Sequence, residues 1–323
     1  MKDFYFYKKE DSMKNFDNEY NDIIANCKDQ IMVEKSLAKA RKKKKVSITI
    51  TIFLIIILII LAANVVSENR NLMGLLIGVC FAFVIALLIV LTLRDKKFRL
   101  MYKNTLISQV VKAVDKNLSY LPLSCFPSHN FNASPFYSRY DTYWSEDLIR
   151  GKLENGTDIL MGEVVTKKQE TYYNDGHRET RTVVVFQGVI IEATLPTEFF
   201  SSLSVVPNSK FRELNKKRVE MDSAVFEKYF DLMTSNKMEA MKLFTPEILE
   251  LFEDFIELKL NNVALVLNGR KLYLKYKPNH EYLESELSDK ILTKPYVRRY
   301  FDDVYTGINL VNKIAEQLKY LEK

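Results

Sequence analysis

Two apolar stretches constrain this chain more than any other feature: residues 46–66, VSITITIFLIIILIILAANVV, and residues 72–93, LMGLLIGVCFAFVIALLIVLTL. Each is long enough to cross a hydrocarbon layer of roughly 30 Å at about 1.5 Å per residue, and neither carries an acidic or basic side chain. The first holds fifteen Ile, Leu, Val and Phe residues, so insertion outweighs the cost of Asn64 and the hydroxyl groups. A buried core helix of a soluble protein is the alternative, but two near-continuous runs, apolar all round the helix and bracketed by basic clusters, speak against it. A cleaved signal peptide would need a short charged leader, whereas 45 residues precede the first stretch and a second follows at once. The expectation is a transmembrane hairpin over residues 46–93.

Charge orients it. Residues 1–99 carry 17 Lys and Arg against 10 Asp and Glu, while residues 100–323 carry 30 against 31. The basic excess sits beside the apolar stretches, at Arg41 to Lys45 on one side and Arg94, Lys96, Lys97 and Arg99 on the other. The connection Ser67 to Asn71 has one acid and one base. The positive-inside rule then places both termini in the cytoplasm, with the lipid bilayer as first partner. A neutral large domain removes the argument for nucleic acid. Gly74, Gly78, Ala82 and Ala86 recur every fourth residue and clear a stripe for close helix packing, within the hairpin or between protomers.

Three cysteines and three histidines without paired spacing predict neither a disulfide framework nor zinc. No glycine-rich phosphate cradle occurs, so no cofactor is expected. Cys125 and His129 share a proline-flanked loop with nothing to orient the imidazole, and His177 sits in a turn. The carboxylate pairs Glu146-Asp147, Glu253-Asp254 and Asp302-Asp303 read as solvated faces, because adjacent side chains point apart. Gly188 within a β-rich run marks a bulge or a close backbone approach.

The remaining chain divides into an N-terminal cytoplasmic helix within residues 1–45, a membrane-proximal helix over 94–121 and an α+β domain over 122–323. Phe16, Tyr20, Ile23, Cys27 and Ile31 share one helix face, as do Tyr102, Ile107, Val110, Val114 and Leu118. These two helices either pack as an antiparallel stalk or lie separately on the domain. Asn155-Gly156 predicts a type I′ hairpin, Asn174-Asp175-Gly176 a second turn before the run Thr180 to Leu195, and Asn268-Gly269 a third hairpin. Helices are expected from Asp222 as N-cap, from Thr245-Pro246-Glu247, and from about Tyr296 to Tyr320. Strands and helices are segregated, which is the α+β pattern.

The strand centred on FQGVIIEATL, the segment VFEKYFDLMTSNKMEAMKLFTPEILELFEDF and the run VALVLNGRKLYLKY, behind two apolar stretches, resemble a bacterial family of unknown function, domain of unknown function thirty-one thirty-seven. The resemblance implies bacterial origin, a cytoplasmic-membrane location and a membrane partner, LemA-like or a second copy of the chain by self-association. It implies no catalytic residue. For recognition the best candidates are the aromatic residues Phe136, Tyr137, Tyr140, Tyr143 and Trp144, which combine large contact areas with polar handles. The function expected is a membrane-anchored binding or scaffold module. A membrane-surface enzyme, or a subunit of an oligomeric channel or transporter, is the alternative.

Overall fold

The computed structural model describes residues 16, 19–27, 29, 52, 55, 99–174, 177–208, 218–284 and 292–322. Ile52 and Ile55 are helical; the rest of both apolar stretches, with Gly74, Gly78, Ala82 and Ala86, lies outside the described residues. Among the described residues no helix is long and apolar enough to cross a membrane. Two compact units are present, residues 24–105 and residues 1–23 with 106–323. In the first, Tyr102 is fully buried. There Cys27 Sγ, its thiol pushed up to about 11 by burial, donates to the Thr105 carbonyl at 3.6 Å.

The larger unit is α+β with an antiparallel sheet. Strands β1 (Leu118–Leu121), β2 (Thr142–Lys152), β3 (Asp158–Asn174), β4 (His177–Pro207), β5 (Arg218–Val219), β6 (Phe230–Thr234) and β7 (Asn261–Lys277) form one seven-stranded sheet. Its helices are α1 (Ser108–Val114), α2 (Ser128–Ala133), α3 (Ala224–Tyr229), α4 (Lys237–Leu243), α5 (Pro246–Glu257) and α6 (Lys294–Leu321). β4, 31 residues long, is the spine. It pairs with β3 from His177 to Thr194, with β6 from Leu203 to Pro207 and with β7 from Val189 to Val205. A strand has two edges. Since the β7 pairing overlaps both others, β3 and β6 share one edge and β7 takes the opposite one.

Each face of the sheet is covered by a different part of the chain. On one, Phe126 and Phe131 pack with Leu148, Val164, Phe186 and Ile190. Glu192 is held there by Lys271 and by Asn130 Nδ2 at 2.7 Å. On the other, α6 lies against β4 and β7, where a Cβ on Gly307 would fall 2.6 Å from Ile191 Cδ1 and 3.0 Å from the Tyr276 ring. Tyr276 donates its hydroxyl to the Asp303 carbonyl at 2.7 Å. Phe16 packs on Phe301 of the same helix, with ring centroids 5.2 Å apart. Tyr20 donates to the Leu292 carbonyl at 2.9 Å. Between α3, α4, α5 and β6 sits a cluster of phenylalanines centred on Phe252.

Several local expectations are corrected. The helix predicted to reach residue 121 stops at Val114, because Asp115 turns extended and its carboxylate accepts from Asn117 N at 2.8 Å. Leu118 is therefore buried in β1, not on a helix face. The hairpin at Asn155-Gly156 is real but not type I′: Gly156, at φ +92, has a positive φ and Asn155 does not. Gly156 N donates to Leu153 O and Leu153 N to Thr157 O, a three-residue loop with its left-handed residue last. At the expected second turn Asn174 pairs His177, while Asp175 and Gly176 lie outside the described residues. Helix α3 is capped by Ser223, whose hydroxyl accepts from Phe226 N, not by Asp222.

The third hairpin does not exist. Asn268-Gly269 lies inside β7, which runs unbroken past a bulged stretch of β4 where Thr194 pairs Lys271 and Phe199 pairs Gly269. Gly269 adopts φ +59 to follow that bulge, and Arg270 Nε donates across it to the Leu195 carbonyl at 2.8 Å. Gly188 is a close approach. A Cβ there would sit 2.5 Å from the Tyr276 carbonyl oxygen.

Candidate interaction site: a two-stranded arm and its aromatic foot

The β3–β4 hairpin outruns the sheet. β2 leaves β3 at the pair Thr142 and Lys167, and β7 leaves β4 at the pair Tyr276 and Val189. Beyond those points, among the described residues, 168–174 and 177–183 pair only with each other. Residues 171–173 and 177–182 are all exposed, so neither face of this arm is covered. Two-stranded ribbons are marginal in water unless side chains brace them. One face is braced. Tyr172 donates to Glu179 Oε2 at 2.5 Å, Arg181 pairs with Glu170 at 3.1 Å, and the Arg181 guanidinium lies 5.6 Å from the Tyr172 ring centre.

The opposite face carries Gln169, Thr171 and Tyr173 across from Thr182, Thr180 and Arg178. It has no acid, and Tyr173 is 74% exposed. A strand that packs on a core alternates apolar and polar residues; here polar residues occupy both faces on both strands. That missing alternation is the sequence signal by which the arm could have been found. The run of valines at 183–185 conceals it.

At the arm's foot lies the aromatic segment. Phe131 of α2 sits 5.1 Å from Phe186, 5.8 Å from Tyr143 and 6.1 Å from Tyr140, measured between ring centres. Tyr143 donates to the Phe126 carbonyl at 2.6 Å and Tyr140 to Asn132 Oδ1 at 2.9 Å. The Lys275 ammonium, its pKa lowered by burial, lies 4.9 Å from the Phe136 ring centre. Phe136, Tyr140 and Tyr143 are half-buried in this seam. Tyr137 and Trp144 are about half exposed, at 48% and 47%. Trp144 pairs with Val165, just below where the arm leaves β2.

Two carboxylate pairs expected to be solvated are not. Asp147 is fully buried and Asp303 nearly so. Adjacent side chains diverge on a regular strand, but a register shift between Glu146 and Ile149 and a φ of +57 at Asp147 break the alternation. Glu146, Asp147 and Glu284 thereby bring one carboxylate oxygen each within 4.8 Å of one another, an oxygen set of the kind a hard divalent cation uses. Tyr120 donates its hydroxyl to Asp147. Asp303 accepts from or donates to His280 Nε2 at 2.8 Å according to their protonation, and burial raises its pKa against the pull of that histidine. Cys125 donates to the Ser145 carbonyl at 3.1 Å while His129 is exposed. A polar cleft of 190 Å³ lies between the β2–β3 turn and α6, crossed by Asn155 Nδ2 donating to Asn312 Oδ1 at 2.8 Å. It is smaller than the roughly 300 Å³ at which small-molecule sites begin.

Asp302 supplies a pH test of the α6 environment. Burial pushes its carboxyl up to about 6, and Arg298, whose Nε donates to it at 2.7 Å, only partly opposes the shift. The folded state thus holds this proton more tightly than the unfolded state. The associated stability is present below pH 3.8, the ordinary value, and is lost as pH rises through about 6. Asp302→Asn should therefore gain on the parent by up to about 3 kcal/mol between pH 3.5 and 7, read from denaturant unfolding at each pH. An unchanged difference between the two pH values would refute this.

Residues 184–318 match the model of a family described as a protein of unknown function, DUF3137. No curated protein sequence matches the chain. Among solved structures, the crystal structure of the mycobacterial trehalose monomycolate transport factor A, TtfA, is similar at 9% identity. It covers 62% of this chain and 93% of that one with a TM-score of 0.31, too low to carry fold or function across.

Proposed function

We propose that this chain, whose residues 184–318 match the DUF3137 family model, is a membrane-anchored binding or scaffold module that docks a protein partner through its β-arm. The observation that carries the reading is the ribbon of residues 168–174 and 177–183, which projects past β2 and β7 and is exposed on both faces over 171–173 and 177–182. Exposed main-chain edges offer strand addition, and exposed Tyr172, Tyr173 and Trp144 offer contact area at low entropic cost. The tether in this reading is the hairpin of residues 46–66 and 72–93, with both termini in the bacterial cytoplasm. Packing along Gly74, Gly78, Ala82 and Ala86 holds its two spans together. Each basic residue at its flanks contributes about 1 kcal/mol of attraction to anionic headgroups.

Shortening the arm tests this. Residues 169–182 are replaced by Asn-Gly, which closes a tight turn between Lys168 and Val183, and crosslinking is carried out in the native bacterium. The adducts of the full-length chain should disappear while the melting temperature of the domain stays near the parent's. Adducts that persist unchanged would exclude the arm as the docking element.

A further inference from the structure

The arm has two edges, and they differ. On the β3 side the carboxylate of Asp141 accepts from Gln169 N at 2.7 Å, and that capped amide with Lys167 and Lys168 discourages strand addition. On the β4 side β7 has ended at Lys277, and residues 177–184 present a straight edge without proline or lysine, whose charges Arg178, Glu179 and Arg181 are of mixed sign and which no other strand among the described residues pairs. The β-bulge at Val185, where Thr166 pairs Phe186 and Lys167 pairs Val184, closes that straight stretch.

Resting on the reading of the arm as the docking element, we propose that its partner is a second copy of this chain, paired antiparallel along the free β4 edge with the two-fold axis at Thr180. The sequence on this edge is complementary to its own reverse. With Thr180 opposite Thr180, Glu179 of each copy faces Arg181 of the other, Arg178 faces Thr182, and His177 faces Val183. Two opposite-charge pairs form and no like charges meet. Moving the axis one residue to Arg181 would set two guanidinium groups against each other.

The register also agrees with the existing braces. Arg181 and Glu179 lie on the braced face, where Arg181 already pairs with Glu170 and Glu179 accepts from Tyr172. Pairing would set Glu170, Arg181 and the other copy's Glu179 and Tyr172 in one row across four strands. A two-stranded ribbon thereby becomes a four-stranded sheet in which the β4 edge of each copy is paired. Pairing ends at Val183, short of the edge that β7 occupies from Val189. The interface is isologous, and closes at two copies.

A cysteine on the axis reads this out. Opposed residues of an antiparallel pair have Cα atoms about 4.5–5.5 Å apart, within disulfide reach. Thr180→Cys in the full-length chain, oxidised mildly in native membranes, should yield a covalent species of twice the chain mass. Thr171→Cys, one strand away from the axis, should behave like the parent, which controls for Cys27, Cys80 and Cys125. In the Thr180→Cys background, Glu179→Arg or Arg181→Glu alone should reduce the linked species about tenfold, and the two together, in a chain that also carries Glu170→Arg so that residue 181 keeps its brace, should restore it. Absence of the linked species, a product of some other mass, or failure of the double exchange to restore it would each overturn the proposal. If shortening the arm abolishes adducts while Thr180→Cys does not link, the docking reading stands and the second copy falls.

Discussion

Phe252→Ala should destabilise the larger unit by about 3–5 kcal/mol, the range for removing a fully buried ring whose neighbours cannot close the gap. Phe252 lies at the hub of a packed aromatic group, its ring centre 5.4 Å from Phe226, 5.3 Å from Phe230, 5.9 Å from Phe244 and 6.2 Å from Phe255. Edge-on contacts with Phe226 and Phe230, at 88° and 65°, add to the area that it buries. The ring joins α5 to α3 and β6, and the mutation therefore loosens three elements at once. Phe252→Leu keeps most of the volume and should cost about 1.5 kcal/mol or less. Denaturant unfolding of the two variants beside the parent distinguishes them. An alanine variant as stable as the leucine variant would show that the cluster is not a shared core.

The second large effect is expected at Gly188. An alanine Cβ there would meet the Tyr276 carbonyl oxygen at 2.5 Å and its carbon at 3.2 Å, both main-chain atoms. Neither can swing aside as a side chain would. Relief requires separating β4 from β7 where Val189 pairs Tyr276, and Tyr276 also anchors α6 through Asp303. Gly188→Ala should cost about 2–3 kcal/mol. It should also speed amide exchange at residues 189–191 and 274–276 more than elsewhere. Uniform exchange, or a cost below about 0.5 kcal/mol, would mean that the strands give way without consequence.

How much of this was legible beforehand varied with the range of the interaction. α5 could be read residue by residue, since Thr245, Pro246 and Glu247 open it and Ile248, Leu249, Leu251, Phe252 and Phe255 are its buried side. α6, expected from Tyr296 to Tyr320, runs from Lys294 to Leu321. Gly188 announced a close approach, but Tyr276, 88 residues on, was invisible as the group approached. Of the aromatic candidates, Phe136, Tyr140 and Tyr143 turned inward into the seam, and Tyr137 and Trp144 stayed accessible. Nothing in their composition separates the two groups; the position of α2 over Phe186 does.

What the amino-acid sequence determined by itself is therefore local: helix faces, the tendency to strand, and a domain whose charges balance. Hydrophobic period and end-capping act within a few residues, so they survive without knowledge of the rest of the chain. The tertiary structure decided everything that depends on which strand lies beside which. Asn268-Gly269 carries the chemistry of a tight turn, yet it became a kink within β7 because a bulged β4 ran alongside. Asp147 became a buried member of a three-carboxylate group because one irregular step in β2 reversed its direction. The arm is the largest such case. Its residues lack the alternation of a strand laid on a core, but only the points where β2 and β7 stop leave it, among the described residues, without a neighbouring strand.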